Sequence, residues 1–418
     1  MILEFSIENY LSIKDKQTFS FEIANKKNDD LRHVVEMKDK TKILKMACIY
    51  GANASGKTNL LTGLSFFMDF ITNSFDQLKP NEEIPVDSFR FVKDFDIKKP
   101  SSFEIIFYHE EHKYIYNISL NKERIISESL YWVKTSQRKR IYDRNNLGEI
   151  IWSQDVKGAK KQVEVFLSKN TSLLFICAKL NIPKITDVFN TLESLQLPMV
   201  SSGCGNIMAA SLELLATDEK IKKDTLKLLS LSYFNNIKDL EIESNDISEQ
   251  LKRSLQAEAF ESINGDNKKN LVWDANVIHE FGENEYKLPL RMESSGTIRF
   301  IELTLPLIHL INSSKILIVD EIESSLHQEL LEYFIDIFLT KTESSQMLMS
   351  THNLDLMDSS LFRDDEIWFA IKNDLGETRY NCVSDYSDIR KKASRKKLYE
   401  ANRFGAKPIM QPISQMEF

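Results

Sequence analysis

One stretch constrains this chain more than any other: Gly51-Ala52-Asn53-Ala54-Ser55-Gly56-Lys57-Thr58, followed by Asn59. It fits the pattern G-x-x-x-x-G-K-[ST], in which a glycine-rich loop turns successive backbone N–H groups inward to cradle phosphate oxygens. The glycines let the backbone approach closely. Lys57 is placed to reach the β- and γ-phosphates, and the Thr58 hydroxyl to hold Mg²⁺. The flanks supply the context the pattern needs. The apolar run 43–50 reads as a buried strand, and Leu60, Leu64 and Phe67 fall on one face of a following helix. The N-terminus of that helix adds its own attraction for anions.

A second motif lies far downstream. Ile316-Leu317-Ile318-Val319 followed by Asp320-Glu321 reads as a parallel strand buried on both faces, ending in two carboxylates. Ligands of open α/β sheets bind at such strand ends. Asp320 is the candidate Mg²⁺ ligand, acting through water because Mg²⁺ dehydrates reluctantly. Glu321 is the candidate general base for an attacking water. Gln346–Met349 is another short apolar run, and Ser350-Thr351-His352 ends it, so His352 is a candidate γ-phosphate contact. Ser294-Ser295-Gly296-Thr297 opens an apolar helical pattern and reads as an N-cap, itself an anion site. Pro306 should kink or split that helix.

In this order the four pieces resemble the head of an ABC-type ATPase. The resemblance implies an α/β head with a parallel phosphate-loop sheet, an antiparallel β lobe and a helical insertion. It places Ser294, Ser295 and Gly296 as the signature motif and Glu323–His327 as the D-loop. Asn53 and Asn59 of the loop, and the alternating opening strand Met1–Ser12, look like the SMC and DNA-repair branch. Glu293–Thr297, Asp364–Phe369 and Tyr399–Pro408 are similar to stand-alone AAA-family ATPases of the RloA, AbiL and AriA kind, which are associated with anti-phage defence. The cofactors so implied are ATP and Mg²⁺. Gly51, Asn53, Ala54, Ser55, Gly56, Lys57, Thr58 and Asn59 would hold the nucleotide, with Ser294, Ser295 and Gly296 closing over it from a second subunit. Glu321, His352 and Lys57 would be catalytic, and Thr58 and Asp320 would hold the metal. Leu11 departs from the basic residue of many repair ATPases, and the glutamine that joins the two lobes in the family stays unassigned.

The 418 residues suffice for a two-lobed head with one large insertion. A formal net charge of −8 implies no globally basic nucleic-acid surface, although local patches remain open. The four cysteines Cys48, Cys177, Cys204 and Cys382 lack metal or disulfide-framework spacing, which fits a reducing cytosol. No run is long enough to cross a membrane, and Glu4 and Glu8 interrupt any leader. The expected location is cytoplasmic.

Composition divides the chain into 1–75 (core with phosphate loop), 76–153 (antiparallel β lobe), 154–270 (mostly helical insertion) and 271–418 (signature, carboxylate strand, switch histidine and basic tail). Proline-containing 76–100 reads as loop, Asn121-Lys122 as a hairpin turn, and Asp364-Asp365-Glu366 as loop. Pro183 and the 201–205 turn break every heptad run, so the insertion reads as a compact lid and not as coiled-coil arms. Segments 134–140 and 390–397 are basic and fit a solvated face, a nucleic acid or an acidic partner. The expected function is an ATPase of paired heads, a homo-oligomer, regulating a separate effector protein in defence. The alternatives are a RecF-like repair ATPase and an ATPase with its own nuclease.

Overall fold

The computed structural model describes residues 1–24, 30–93, 95–134, 137–201, 205–246, 271–386 and 393–408. Arg390, Lys391, Lys392, Cys204 and most of the 201–205 turn lie outside them. The chain forms two compact units, one of residues 1–199, 313–322 and 335–418, the other of residues 200–312 and 323–334.

The first unit holds two large sheets. One is antiparallel and seven-stranded, in the order β10-β9-β8-β7-β6-β1-β2. Its strands are β1 (Ile2–Glu8), β2 (Gln17–Ser20), β6 (Ser101–His109), β7 (His112–Leu120), β8 (Ile125–Lys134), β9 (Gln137–Arg144) and β10 (Ile150–Trp152). The opening strand therefore does not stay with the phosphate-loop sheet, but pairs with β6 in the antiparallel lobe. Alternation explains this: Phe103, Ile105 and Phe107 of β6 are buried while Ser102, Glu104 and Ile106 are not, the signature of a sheet with one covered face. The described residues of 78–100 contain no strand or helix, as their prolines predict. At the β7–β8 turn, Asn121 Oδ1 accepts from the N–H groups of Glu123 (3.0 Å) and Arg124 (2.9 Å).

The second sheet has five strands in the order β14-β15-β5-β16-β17. These are β5 (Met46–Tyr50), β14 (Ile316–Val319), β15 (Gln346–Ser350), β16 (Ile367–Lys372) and β17 (Thr378–Cys382). β14, β15, β5 and β16 are parallel, and β17 is antiparallel to β16. Although β14 is an edge strand, all four of its residues are buried. Its open side is covered by the chain after the helix Ile185–Leu195, where the Leu197 N–H donates to Ile316 O at 3.3 Å. A small ribbon of β3 (Val34–Glu36) and β4 (Lys42–Leu44) completes the strands of this unit.

Helix α1 (Lys57–Gln77) packs against β1 on one side and against β14 and β15 on the other. Leu60, Leu64 and Phe67 are buried, and Phe67 meets Phe5 and Phe103 with ring centroids 5.7 and 5.8 Å apart. Shorter helices α2 (Lys160–Phe166), α3 (Leu173–Lys179) and α4 (Ile185–Leu195) follow the lobe. Buried Gln346 links the two sheets: its Oε1 accepts from Ile2 N (2.6 Å), and its Nε2 donates to Ile2 O (2.8 Å). Asp364–Glu366, read as loop, is a short helical turn in which Asp365 and Glu366 are buried and Asp364 is exposed. Glu366, fully buried, pairs with buried His33 at 2.7 Å, and Asp365 pairs with Arg363 at 2.8 Å. Charges on a short acidic run can be withdrawn from water only when such partners arrive from elsewhere in the chain.

The second unit combines helices α5 (Gly205–Thr217), α6 (Glu219–Ser230) and α7 (Ser295–Asn312) with an antiparallel sheet of β11 (Ile237–Asp246), β12 (Leu271–Phe281) and β13 (Asn284–Pro289). α5 and α6 pack on this sheet and on α7. That sheet is absent from the pattern reading, which placed β11 inside the mostly helical insertion 154–270 and β12 and β13 in the C-terminal part of the core. Pro306 lies inside α7, and the helix neither ends nor splits there. Among the described residues no helix is long and apolar enough to cross a membrane.

Candidate functional site

The parallel sheet gathers the first unit's candidate residues by topology. β5 runs into the phosphate loop, its neighbour β15 into Thr351 and His352, and β14 into Asp320 and Glu321. All three strands are parallel, so these residues stand at the same end of the sheet.

The loop is shaped by contacts that its own sequence does not reveal. Gly56 has φ +102°, and a Cβ there would lie 2.5 Å from Thr378 Oγ1. A Cβ on Gly51 would lie 2.6 Å from the Ala370 carbonyl oxygen. Both positions exclude a side chain, as a close phosphate cradle requires. From β17, Thr378 Oγ1 donates to Ser55 O (2.8 Å) and the Tyr380 hydroxyl donates to Gly56 O (2.6 Å). Ser12 Oγ lies 2.7 Å from Thr378 Oγ1 and accepts from the Asn59 side-chain amide at 2.5 Å. Asn59 thus braces the loop through the turn after β1. Asn53 and Ala54 are exposed at the loop's rim, and Ser55 is buried.

Lys57 is buried and donates to Gly51 O (3.0 Å) and Ala52 O (3.1 Å), folding its ammonium back over the loop. Thr58 Oγ1 donates to Asp320 Oδ2 at 2.9 Å, across 262 residues of sequence. Asp320 Oδ1 accepts from Ser350 Oγ, and the same Ser350 oxygen accepts from the Glu321 N–H at 2.9 Å. One serine at the end of β15 therefore fixes both carboxylate positions. Glu321 is exposed and has φ +50°, in the left-handed region that non-glycine residues seldom occupy. His352 is exposed, and Asn353 caps the short helix Leu354–Met357 that follows it.

The donor set fits Mg²⁺ and a nucleotide triphosphate. A hydroxyl and a carboxylate already share one hydrogen bond, the hard-oxygen pair that Mg²⁺ takes. At Gly51 and Gly56 the loop beside them leaves no room for a side chain. Thr58 and Asp320 would hold the ion, and Gly51 to Asn59 the phosphates.

Ser294, Ser295 and Gly296 belong to the second unit. Ser294 Oγ accepts from Thr297 N (3.1 Å), so it is the N-cap of α7. A Cβ on Gly296 would lie 3.0 Å from the Ser325 carbonyl oxygen, so the glycine read as part of the signature packs closely on the segment read as the D-loop.

Sequence reasoning missed Ser12, Ser350, Thr378 and Tyr380. Only Ser350 carried a signal, since it directly precedes Thr351 and His352 at a strand end. In the second basic run, Arg395 donates to Met357 O (2.9 Å) and Phe362 O (3.0 Å), and Lys396 pairs with Asp355 at 2.5 Å. Those two cations dock the helix Arg395–Glu400 onto the fold.

A family model described as "AAA domain, putative AbiEii toxin, Type IV TA system" matches residues 46–358. The chain belongs to this AAA family of nucleotide-binding ATPases. The match begins with β5 and takes in the phosphate loop, α7, the Asp320–Glu321 strand and His352. Comparison with curated proteins finds no match. Among solved structures, the chain is similar to the SMC head domain from Thermotoga maritima (12% identity, TM-score 0.42, covering 91% of this chain and 98% of that one). It is also similar to an Smc head domain with an extended coiled coil bound to the C-terminal domain of ScpA, derived from Pyrococcus furiosus (10%, 0.40, 97% and 99%). Similarity at this level carries no inference about function.

Proposed function

We propose that this chain is an Mg²⁺-dependent ATPase whose paired heads bind and hydrolyse ATP, as the sensor or regulator of a prokaryotic anti-phage defence system that acts through a separate effector. The observation that carries the enzymatic part is the Thr58–Asp320 hydrogen bond. Two motifs separated by most of the chain meet as a ready pair of metal ligands beside a loop whose Gly51 and Gly56 leave no room for a side chain.

The roles follow from position. Lys57 leaves its two loop carbonyls and places its charge on the terminal phosphates. Mg²⁺ held by Thr58 and Asp320 would supply charge neutralisation on the phosphates. Glu321 accepts the proton of the attacking water as its oxygen bonds to the γ-phosphorus and the bond to the ADP oxygen breaks. His352 orients the γ-phosphate. Most of the acceleration in such a reaction comes from positioning and charge stabilisation. Ser294 to Gly296, on a helix N-terminus, would close over the nucleotide of a second copy. The defence role is supported by the family description, which names a toxin of a type IV TA system.

Lys57→Ala tests the site. It should abolish binding of a fluorescent ATP analogue and steady-state phosphate release. Wild-type turnover in that variant would remove the loop from the mechanism.

A further inference from the structure

The basic residues Lys134, Arg138, Lys139 and Arg140 have no part in the proposed ATP chemistry, and they stand near an aromatic cavity. The exposed strand positions Arg138, Lys139 and Arg140, together with Lys134, form no ion pair with any carboxylate among the described residues. Cross-strand register sets Trp132 of β8 opposite both Lys139 of β9 and Tyr114 of β7. The Lys139 ammonium lies 5.7 Å from the Trp132 ring centroid, and the His112 ring lies 5.8 Å from it. His112, Tyr114, Trp132, Arg140 and Lys184 line one cavity of about 320 Å³. That is near the small end of the roughly 300–1,000 Å³ range of ligand sites, the scale of a single nucleoside.

We propose that this cavity receives an unpaired base of a single-stranded nucleic acid, with Lys134, Arg138, Lys139 and Arg140 holding the phosphates on either side. The chemistry is divided accordingly. Uncompensated cations stand along the strand, where a polyanion's backbone would run. Glu110, Asp155 and Asp187 line the cavity itself, as acceptors for the ring N–H and amino groups of a base. Those same carboxylates would repel an acidic side chain, so an acidic protein segment fits the cations but not the cavity. Trp132 and His112 offer flat faces, and stacking needs a base free of its partner strand. A net charge of −8 over the whole chain confines nucleic-acid binding to such a local patch.

The test is fluorescence anisotropy of the full chain with labelled 20-nucleotide DNA and RNA single strands, a DNA duplex of the same length, and polyglutamate as competitor. Single strands should bind more tightly than the duplex. Trp132→Ala should weaken binding about ten-fold or more, and Trp132→Phe should restore most of it, as expected when stacking carries the contact. Combined Arg138→Ala, Lys139→Ala and Arg140→Ala should flatten the salt dependence by up to about 2 in log–log slope. Both sets of variants should keep the wild-type basal ATPase rate, and Trp132→Phe, which keeps a ring packed on the core, should keep the melting temperature. Preference for the DNA or the RNA strand identifies the source of the base. Equal affinity for duplex and single strand, or affinity untouched by Trp132→Ala, overturns the proposal. So does binding that polyglutamate displaces from wild type and Trp132→Ala alike, which would assign the patch to an acidic protein.

Discussion

At the scale of single residues, Gly56 and Lys45 show two ways in which a position is decided by distant chain. Gly56 combines a positive φ with a 2.5 Å approach to Thr378 at its absent Cβ. Gly56→Ala should cost more than about 1 kcal/mol of stability and weaken ATP binding, measured by thermal melting with and without Mg–ATP. An unchanged melting temperature would mean that the loop relaxes freely. Lys45 sits between β4 and β5, inside a run that reads as one buried strand. It is buried and donates to Leu339 O (2.9 Å) and Thr342 O (2.6 Å). Burial lowers its pKa from 10.5 to about 8. Between pH 8 and 10.5 the unfolded chain then holds more protons than the folded one, so this group makes stability rise with pH across that window. Below the lower limit its destabilisation is constant, at most about 3 kcal/mol. Denaturant titrations at pH 7.5, 8.5 and 9.5 should show the rise in wild type and lose it in Lys45→Met. Identical profiles for the two proteins would place the titration elsewhere. No local pattern announces Lys45 as buried, because the carbonyls that receive it come from a helix end nearly three hundred residues away.

At the scale of elements, α7 carries the prediction. Ser294 caps it, and the signature reading needs that N-terminus to meet a nucleotide on another copy. Ser294→Arg should leave ATP binding to each loop intact and reduce turnover to near background. Mixing Ser294→Arg with Lys57→Ala subunits should recover part of the rate, because one mixed pair can assemble one complete site. Full turnover by a purely monomeric Ser294→Arg protein would exclude a shared site. The elements near the phosphate loop were legible because each carries a strong local signal: an apolar run before the loop, a 3.6-residue period after it, and two carboxylates closing a four-residue apolar strand. The β11-β12-β13 sheet was not legible. Its strands are mixed and charged, as in Asn284–Pro289 with four exposed residues, and the sheet exists by pairing across a long sequence gap. Pro306 misled for a related reason. A proline weakens a helix by a fixed local cost, whereas α7 is held by buried Phe300, Ile301, Leu305 and Ile308 along its length. Strand order is likewise invisible to local pattern, so β1's place in the antiparallel sheet follows from its partner β6 and from Gln346 clamping its first residue.

At the scale of the whole molecule, the chain has a first unit of a phosphate-loop sheet and an antiparallel lobe packed around α1, and a second unit that bears α7. The residues assigned to chemistry divide between the two units, with Lys57, Thr58, Asp320, Glu321 and His352 in the first and Ser294 to Gly296 in the second. The central claim is that the first group forms an Mg–ATP site in which Glu321 takes the water's proton. Single-turnover hydrolysis of γ-labelled ATP by Glu321→Gln, alongside equilibrium binding of Mg–ATP, tests it most directly. The variant should bind Mg–ATP as the wild type does and accumulate as an ATP-bound dimer in sedimentation. Its cleavage rate should fall by roughly 10²–10⁴-fold. Cleavage at the wild-type rate, with binding intact, would contradict the assignment of Glu321 as the base.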